Sequence, residues 1–551
     1  MVSRAFHFVY KEIKGLHHAA YILAIFAFGS QLLAIVRDRM LAHTFGAGTE
    51  LDLYYVAFRI PDLLFVLFAS VLSVYVLLPF VERATMTDAK RSVLSQVFTL
   101  FLLVYTGLAV VLAALAPWYV PYVFPGYAAE SATLTTLIQI LLLQPLLLGI
   151  SSICGVVTQM HHRFVLYAIS PLLYNVGIIF GLVALYPFFG LPGLVSGVVI
   201  GAVGHVLVQV PYVRKSPFAF TATFNFDWGQ VRQMLFVALP RALTLSLNQL
   251  VLLLFISIAT TLTVGSVSVF QLALNIQSVP LAIIGMSYSV AAFPTLSHLH
   301  AARNQLGFNT QLMTALRHIV FWSVPIIGLV IVLRAHVVRV LLGSGEFGWS
   351  ETRLTAAALA VFVLSLAAQA ALLLIIRAFY AGGRTLLPLI YTIITSAVAV
   401  VVAYVGLWYW EQSAALQVTI ATVFRLEGVP GAEILVLATA FAFGQLLQII
   451  LLLLQARYTF ALSVRPLGRL LIHAVTASAA GGLVAYAMLR FVVEGVNQDV
   501  FVGIALQGAV ATIAGVLTII AVYYLLQTRE FTETIQPFQK KIRSADIGKP
   551  Q

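Results

Sequence analysis

The chain is built from long apolar runs that recur from one end to the other. A helix needs about 20 apolar residues to cross a bilayer. Fourteen stretches meet that need, near 19–41, 52–81, 93–116, 132–157, 164–187, 191–213, 233–262, 266–297, 315–342, 354–380, 385–409, 431–456, 468–490 and 500–526. The breaks between them are short, and none is long enough for a soluble domain. The expected fold class is therefore all-α, a polytopic membrane protein with about 14 transmembrane helices. Composition agrees: 61% of residues are hydrophobic and 9% are charged, whereas a soluble protein averages about 25% charged. Lipid is the natural solvent for such a surface.

A net charge of +12 would point to nucleic acid in a soluble chain. Here the basic residues stand in short loops, so membrane orientation is the simpler reading and no nucleic-acid partner is expected. With the N-terminus inside, 22 of the 31 Lys and Arg fall in inner segments. Five fall outside: Arg334, Arg339, Arg353, Arg425 and Arg490. Four, Arg37, Arg39, Arg59 and Arg241, stand in spans or at their ends. This asymmetry predicts that both termini are cytoplasmic. The apolar run after Arg4, Lys11 and Lys14 is too long for a signal peptide and reads as the first span. The single cysteine, Cys154, excludes a disulfide framework.

A weak internal repeat divides the chain. Gln31 corresponds to Gln249, Ala57 to Ala273, Pro79 to Pro294 and Arg163 to Arg384, with offsets of 218, 216, 215 and 221. The alternative is chance similarity among leucine-rich helices. The expected organisation is a first six-helix bundle over 1–213, an interfacial linker over 214–232 and a second six-helix bundle over 233–456. Two additional helices follow over 457–527, then a cytoplasmic tail over 528–551. The linker region alternates aromatic and polar residues through Phe218, Phe220, Phe224, Phe226 and Trp228, as a segment lying at the membrane interface would. Repeated bundles are a mark of secondary transporters, with the substrate between the halves.

Enzyme signatures are missing from the sequence. There is no phosphate-binding G-x-x-x-x-G-K-[ST], no H-E-x-x-H and no C-x-x-C. No enzyme activity, cofactor or metal is expected, and the neighbours His161 and His162 lack further ligands. The informative feature is charge within the first two spans: Arg37, Asp38, Arg39, Asp52, Arg59 and Asp62. Such groups in a bilayer face a cavity or one another. A guanidinium fork suits a pyrophosphate. Each residue also has a structural reading. Arg59 and Asp62, three apart, could pair with each other. Asp52 could cap span 2 from outside. Arg37 and Asp38 are adjacent, so they should point to different faces and need separate partners. Pro61 should kink span 2. Asn248, Gln249, Gln271, Asn275 and Gln277 in spans 7 and 8 are either interhelical contacts or a cavity wall.

Ala34-Ile35-Val36-Arg37-Asp38, Phe45-Gly46-Ala47-Gly48, Asp52 and Val56-Ala57-Phe58-Arg59-Ile60-Pro61 resemble the MurJ (MviN) lipid II flippases, of the MATE-like exporter superfamily. So do Gln159 to Asn175, Gly265-Ser266-Val267-Ser268, Phe293-Pro294-Thr295-Leu296-Ser297 and Arg377-Ala378-Phe379-Tyr380 with Arg384-Thr385. The resemblance implies fourteen helices in two bundles around a cationic cavity. It also implies outward flipping of an undecaprenyl-pyrophosphate-linked peptidoglycan precursor by alternating access, in the bacterial inner membrane. The implied substrate-binding residues are Arg37, Asp38, Asp52, Arg59, Gln31, Arg241, Asn248, Ser268 and Asn275. The implied partners are a lipid II-like glycan, membrane lipids and candidate cell-wall synthesis proteins. Three family arginines are replaced, by Gln31, Phe65 and Asn275, which opens the choice of a related lipid-linked glycan. The rivals are a polysaccharide-repeat flippase, a cation-coupled drug exporter and a transport-inactive scaffold.

Overall fold

The structure, a computed structural model, describes residues 16–73, 76–77, 80–81, 86–492, 501–534 and 536. Among these residues every regular element is a helix. The first helices are α1 (Leu16–Phe45), α2 (Thr49–Ala57), α3 (Arg59–Val71), α4 (Thr87–Val123), α5 (Ser131–Leu141), α6 (Leu143–Met160), α7 (Phe164–Phe180), α8 (Tyr186–Leu207), α9 (Val210–Lys215) and α10 (Trp228–Thr260). They are followed by α11 (Ser266–Leu281), α12 (Ser287–Ala301), α13 (Gln305–Leu342), α14 (Trp349–Leu364) and α15 (Leu366–Ala381). The last are α16 (Leu386–Gln412), α17 (Ala414–Phe424), α18 (Ile434–Phe460), α19 (Arg465–Ala487) and α20 (Phe501–Leu525).

Eleven helical segments among the described residues are long and apolar enough to cross a bilayer, or twelve with α14–α15, which bends by 44°. Two more candidate passes have physical grounds. Helix α1 is 30 residues long and is made more polar by Arg37, Asp38 and Arg39. The run Phe164–Lys215 is 52 residues long, more than twice what one crossing needs. It breaks at Gly190, whose φ of 62° is left-handed. The arm before that break, formed by α7 with Gly181 just after it, packs antiparallel on the part of α8 beyond Gly190, with Gly177 against Gly201 and Gly181 against Gly197. A side chain at any of these four glycines would strike the opposite backbone, so small residues set the approach of this hairpin. With these two the described residues offer fourteen candidate passes, two more than length and composition alone admit.

Two helix breaks share one cause. Span 2 breaks at Phe58 between α2 and α3, three residues before Pro61. Likewise α5 gives way to α6 at Leu142, three residues before Pro145. Proline lacks the N–H that would bond the carbonyl four residues back and crowds that carbonyl. At the second break Tyr105 donates its hydroxyl to the Leu142 carbonyl at 2.7 Å. Where Pro61 is expected to kink span 2, the helix is interrupted at Phe58, which keeps α-helical dihedrals (φ −74°, ψ −21°).

The chain divides into two compact units, one running through Ser268 and including Ser344–Gly348, the other formed by Val269–Gly343 and Trp349 onward. In the first unit α10 packs along α3. The segment between α9 and α10 is extended and lies on α4, where side chains accept its backbone N–H groups. Thr221 donates to Ser95 at 3.2 Å, Thr223 to Thr99 at 2.9 Å and Asp227 to Gln96 at 2.9 Å. The Asp227 carboxylate then caps α10 by accepting from Gly229 and Gln230. In the second unit the long helix α13 is the centre, and α14, α15, α19 and α20 pack against it. Its core includes Leu312, Ile319, Phe379, Leu452 and Tyr523, with Tyr523 stacked on Phe321 at 4.3 Å.

Candidate functional site

The charged residues of the first two spans separate into a buried ionic cluster and a capping hub, both in the first unit. On α1, Ser30 and Arg37 are seven residues apart and share a face. Both reach Asn175 on α7. Arg37 donates to the Asn175 amide oxygen at 2.9 Å, and Asn175 donates to Ser30 at 3.3 Å. The remaining edge of the guanidinium turns onto its neighbour, with Nε at 2.9 Å and Nη2 at 2.7 Å from the Asp38 carboxylate. The expectation of separate partners for Arg37 and Asp38 is corrected here. A four-bond side chain can fold sideways across the helix surface, and burial makes that pairing favourable. Asp38 is 7% exposed.

Tyr54 and Tyr55, both buried, connect this pair to Arg59. Their hydroxyls lie within electrostatic reach of Arg37 and Asp38. The Tyr55 hydroxyl is buried without a hydrogen-bond partner among the described residues. Arg59 is buried and donates from Nε to the Tyr55 carbonyl at 3.1 Å. Asp62, one turn further, is within electrostatic reach of Arg59 and hydrogen-bonded to Gln144 on α6. Two arginines and two aspartates thus form a cluster of zero net formal charge, held by α1, α3, α6 and α7. Gln31 is half-buried on α1 and shares a face with Asp38, seven residues on.

Asp52 stands apart. It is 1% exposed, and its carboxylate accepts four hydrogen bonds: Tyr127 hydroxyl at 2.5 Å, Gly265 N–H at 2.8 Å, Ser268 N–H at 2.7 Å, and the Ser268 hydroxyl. It caps the first turn of α11, not its own span. Gly265 has a φ of +91°, and a side chain there would strike the Ala47 carbonyl. Only glycine meets both demands. Gly46, with φ +59°, ends α1 against the backbone of Glu346, whose N–H donates to the His43 carbonyl at 3.0 Å. The Phe45-Gly46-Ala47-Gly48 and Gly265-Ser266-Val267-Ser268 stretches are therefore two sides of one tight junction. Tyr127 sits in the short helical turn Pro125–Tyr127, between membrane helices. Burial and the neighbouring Asp52 carboxylate both push its phenol well above the ordinary range.

The other candidates lie elsewhere. Asn248 is exposed on α10. Arg241 lies on the same helix, but its side chain falls outside the described residues. In the second unit, Asn275 accepts from Gln271 at 2.7 Å within α11, while Gln277 donates to the Phe362 carbonyl at 2.9 Å. Asn175, Tyr127, Tyr54 and Tyr55 were not anticipated as site residues. The one available signal was an Asn in the middle of an apolar helix, four residues after Pro171.

Comparison with known proteins decides the family. The family described as Lipid II flippase MurJ matches residues 41–417, more than half of the chain. The chain belongs to the MurJ family. A probable lipid II flippase MurJ of Thermotoga maritima is 28% identical over 375 residues, covering 67% of this chain and 75% of that protein. The lipid II flippase MurJ of Burkholderia cenocepacia is 25% identical over 364 residues, covering 64% and 70%. Among solved structures, a lipid II flippase MurJ in an inward closed conformation aligns with a TM-score of 0.72 at 20% identity, covering 92% of this chain and all of that one. An inward-facing MATE-family multidrug transporter aligns with a TM-score of 0.63 at 16% identity, covering 78% and 94%. These likenesses show a multi-pass membrane protein with the MurJ fold, which is similar to the fold of the MATE-family transporter. Arg37 and Asp38 lie just before the stretch that the MurJ family matches, and Asp52, Arg59 and Ser268 lie inside it.

Proposed function

We propose that this chain flips an undecaprenyl-pyrophosphate-linked peptidoglycan precursor, lipid II or a related lipid-linked glycan, from the inner to the outer leaflet. It does so by alternating access and without covalent chemistry. The observation that carries this reading is membership of the MurJ family. The ionic cluster supplies a physical route. Arg37 presents a fork whose acceptors are Asp38 and Asn175. A pyrophosphate entering from the interface loses hydration and needs fixed donors in exchange. It competes with Asp38 for the guanidinium, so loading and release are an exchange of one anion for another. The same proposal includes the two bundles over 1–213 and 233–456, the linker 214–232 and the location in the bacterial inner membrane with both termini cytoplasmic.

The test is complementation of a strain depleted of its lipid II flippase. Growth is expected. Failure by a correctly inserted protein overturns the reading. Topology is tested separately in a Cys154→Ser background: external thiol labelling should reach Ala129→Cys and miss Thr87→Cys, both positions being exposed.

Neutral residues favour a second reading within the same class. Gln31, Phe65 and Asn275 stand where the sequence resemblance implies arginine. If the substrate is a related glycan, the unmodified chain complements poorly and Gln31→Arg with Asn275→Arg improves it. Full complementation by the unmodified chain assigns lipid II itself.

A further inference from the structure

The second unit carries a group of guanidiniums that the charge asymmetry does not explain. Segments assigned to the outer face hold only five basic residues, yet three of them converge. Arg353, near the start of α14, donates to the backbone carbonyl of Arg425. The charge of Arg425 bears in turn on Arg334, near the end of α13. Arg339 holds its guanidinium 4.9 Å above the ring of Trp349, one turn before Arg353. The acidic partner of Arg353 is Glu427 at 3.6 Å, with side chains 37% and 61% exposed. A pair that open to solvent contributes little. Guanidiniums gathered at the edge of a membrane repel one another, and an anion with several oxygens would relieve that repulsion by bidentate bonding.

The neighbouring helix says what kind of anion. Helix α17, AALQVTIATVF, bears no charge and has no buried residue. Val418 and Val423 are each 65% exposed. It follows directly on α16, whose Trp408 and Tyr409 are also exposed, as in an interfacial aromatic belt. Such an uncharged, exposed, apolar surface suits acyl chains rather than water. It ends at Arg425, in the left-handed conformation with φ 58°. An apolar bed therefore leads straight to the arginines.

We propose that Arg334, Arg353 and Arg425, with α17 beside them, hold the phosphate of an anionic phospholipid at the outer face of the membrane, the acyl chains lying along α17. The sidedness rests on the topology proposed above; the ligand class does not. This site is separate from the Arg37 cluster, which lies in the other unit.

The test is native mass spectrometry of the full chain in detergent, titrated with phosphatidylglycerol, phosphatidylcholine or inorganic phosphate. Phosphatidylglycerol should bind at least about ten-fold more tightly than phosphatidylcholine, the size of one or two charge-assisted contacts. Arg353→Gln with Arg425→Asn should abolish that preference; Asn tolerates the left-handed backbone. Arg490→Gln, an exposed outer arginine outside the group, should leave it intact. Equal binding of the two lipids by the unmodified chain overturns the proposal, as does a preference that survives the double variant. Displacement of phosphatidylglycerol by an equal concentration of inorganic phosphate also overturns it, leaving a free-anion site. Should the double variant fail to fold, the two comparisons on the unmodified chain still decide.

Discussion

In the first unit, Arg37, Asp38, Arg59 and Asp62 lie inside membrane helices and satisfy one another, with Asn175 and Gln144 completing the contacts. In the second unit, buried contacts between membrane helices are made by neutral groups. Gln277 reaches the Phe362 carbonyl, Ser289 the Leu373 carbonyl, and Gln448 the Thr392 hydroxyl at 2.8 Å. Its charges stand toward helix ends. The buried Glu530, just beyond α20, pairs with Arg317 on α13, a helix of 38 residues and so far longer than a bilayer is thick. Neutral hydrogen bonds serve in both units, as from Gln209 to Ser170 in the first; among the described residues the first unit adds an ionic cluster inside its membrane helices. Neutral hydrogen bonds hold helices together cheaply. A buried ionic cluster is a costly way to do the same, and the proposed function gives that charge a use besides packing.

The largest effect should come from Arg37→Ala. It removes both bonds to Asp38 and the bond to Asn175, and flipping should fall to background. Breaking a buried pair costs about 3–5 kcal/mol, so thermal stability in detergent should fall too. Arg37→Ala with Asp38→Asn separates the two effects: stability should largely return while transport stays absent. Recovery of transport in that double variant would reduce the cluster to packing and erase the contrast between the units. Arg37→Lys should retain part of the activity, because a point charge replaces a fork.

Asp52→Asn comes next. The carboxylate accepts four bonds, and a bond to a charged group contributes about 1.5–3 kcal/mol. The melting temperature should drop by more than in Ser268→Ala, which removes only the hydroxyl. An equal drop in the two variants would mean that the backbone N–H groups of Gly265 and Ser268 gain nothing from the charge. In the second unit, Gln277→Leu should cost about 1 kcal/mol or less. A melting-temperature loss as large as that of Arg37→Ala would break the comparison.

The smallest effect is acid-dependent and confined to the segment after α20. Glu533 accepts from Arg529 at 2.7 Å and lies 3.2 Å from His318. Burial alone would raise its pKa; these two partners outweigh it and hold the carboxyl below its ordinary value of 4.5. A carboxylate with a depressed folded pKa contributes stability above its unfolded pKa and loses it as pH falls through the folded one. Hydrogen-exchange protection factors over residues 528–534 should therefore be steady at neutral pH and fall below about pH 4.5. Glu533→Gln should remove that dependence. Acid sensitivity persisting in this variant would assign it to another group.

Much of this was legible in the chain itself. The length and spacing of the apolar runs fixed an all-helical membrane fold, because a bilayer has one thickness and a helix one rise per residue. Pro61 announced the break at Phe58, since a missing N–H acts locally. The glycines at 46, 48 and 265 and the charges of the first two spans were visible as motifs. Their partners were not. Asn175 lies 138 positions from Arg37, and Ser268 lies 216 from Asp52. Whether two such groups meet depends on how each helix is rotated about its axis and how closely its neighbours approach. No local pattern encodes that rotation. Adjacency even misled for Arg37 and Asp38, whose Cβ atoms diverge while the longer side chain folds back. Local chemistry wrote the spans and their breaks, and helix packing alone decided which charges became a cluster and which became a cap.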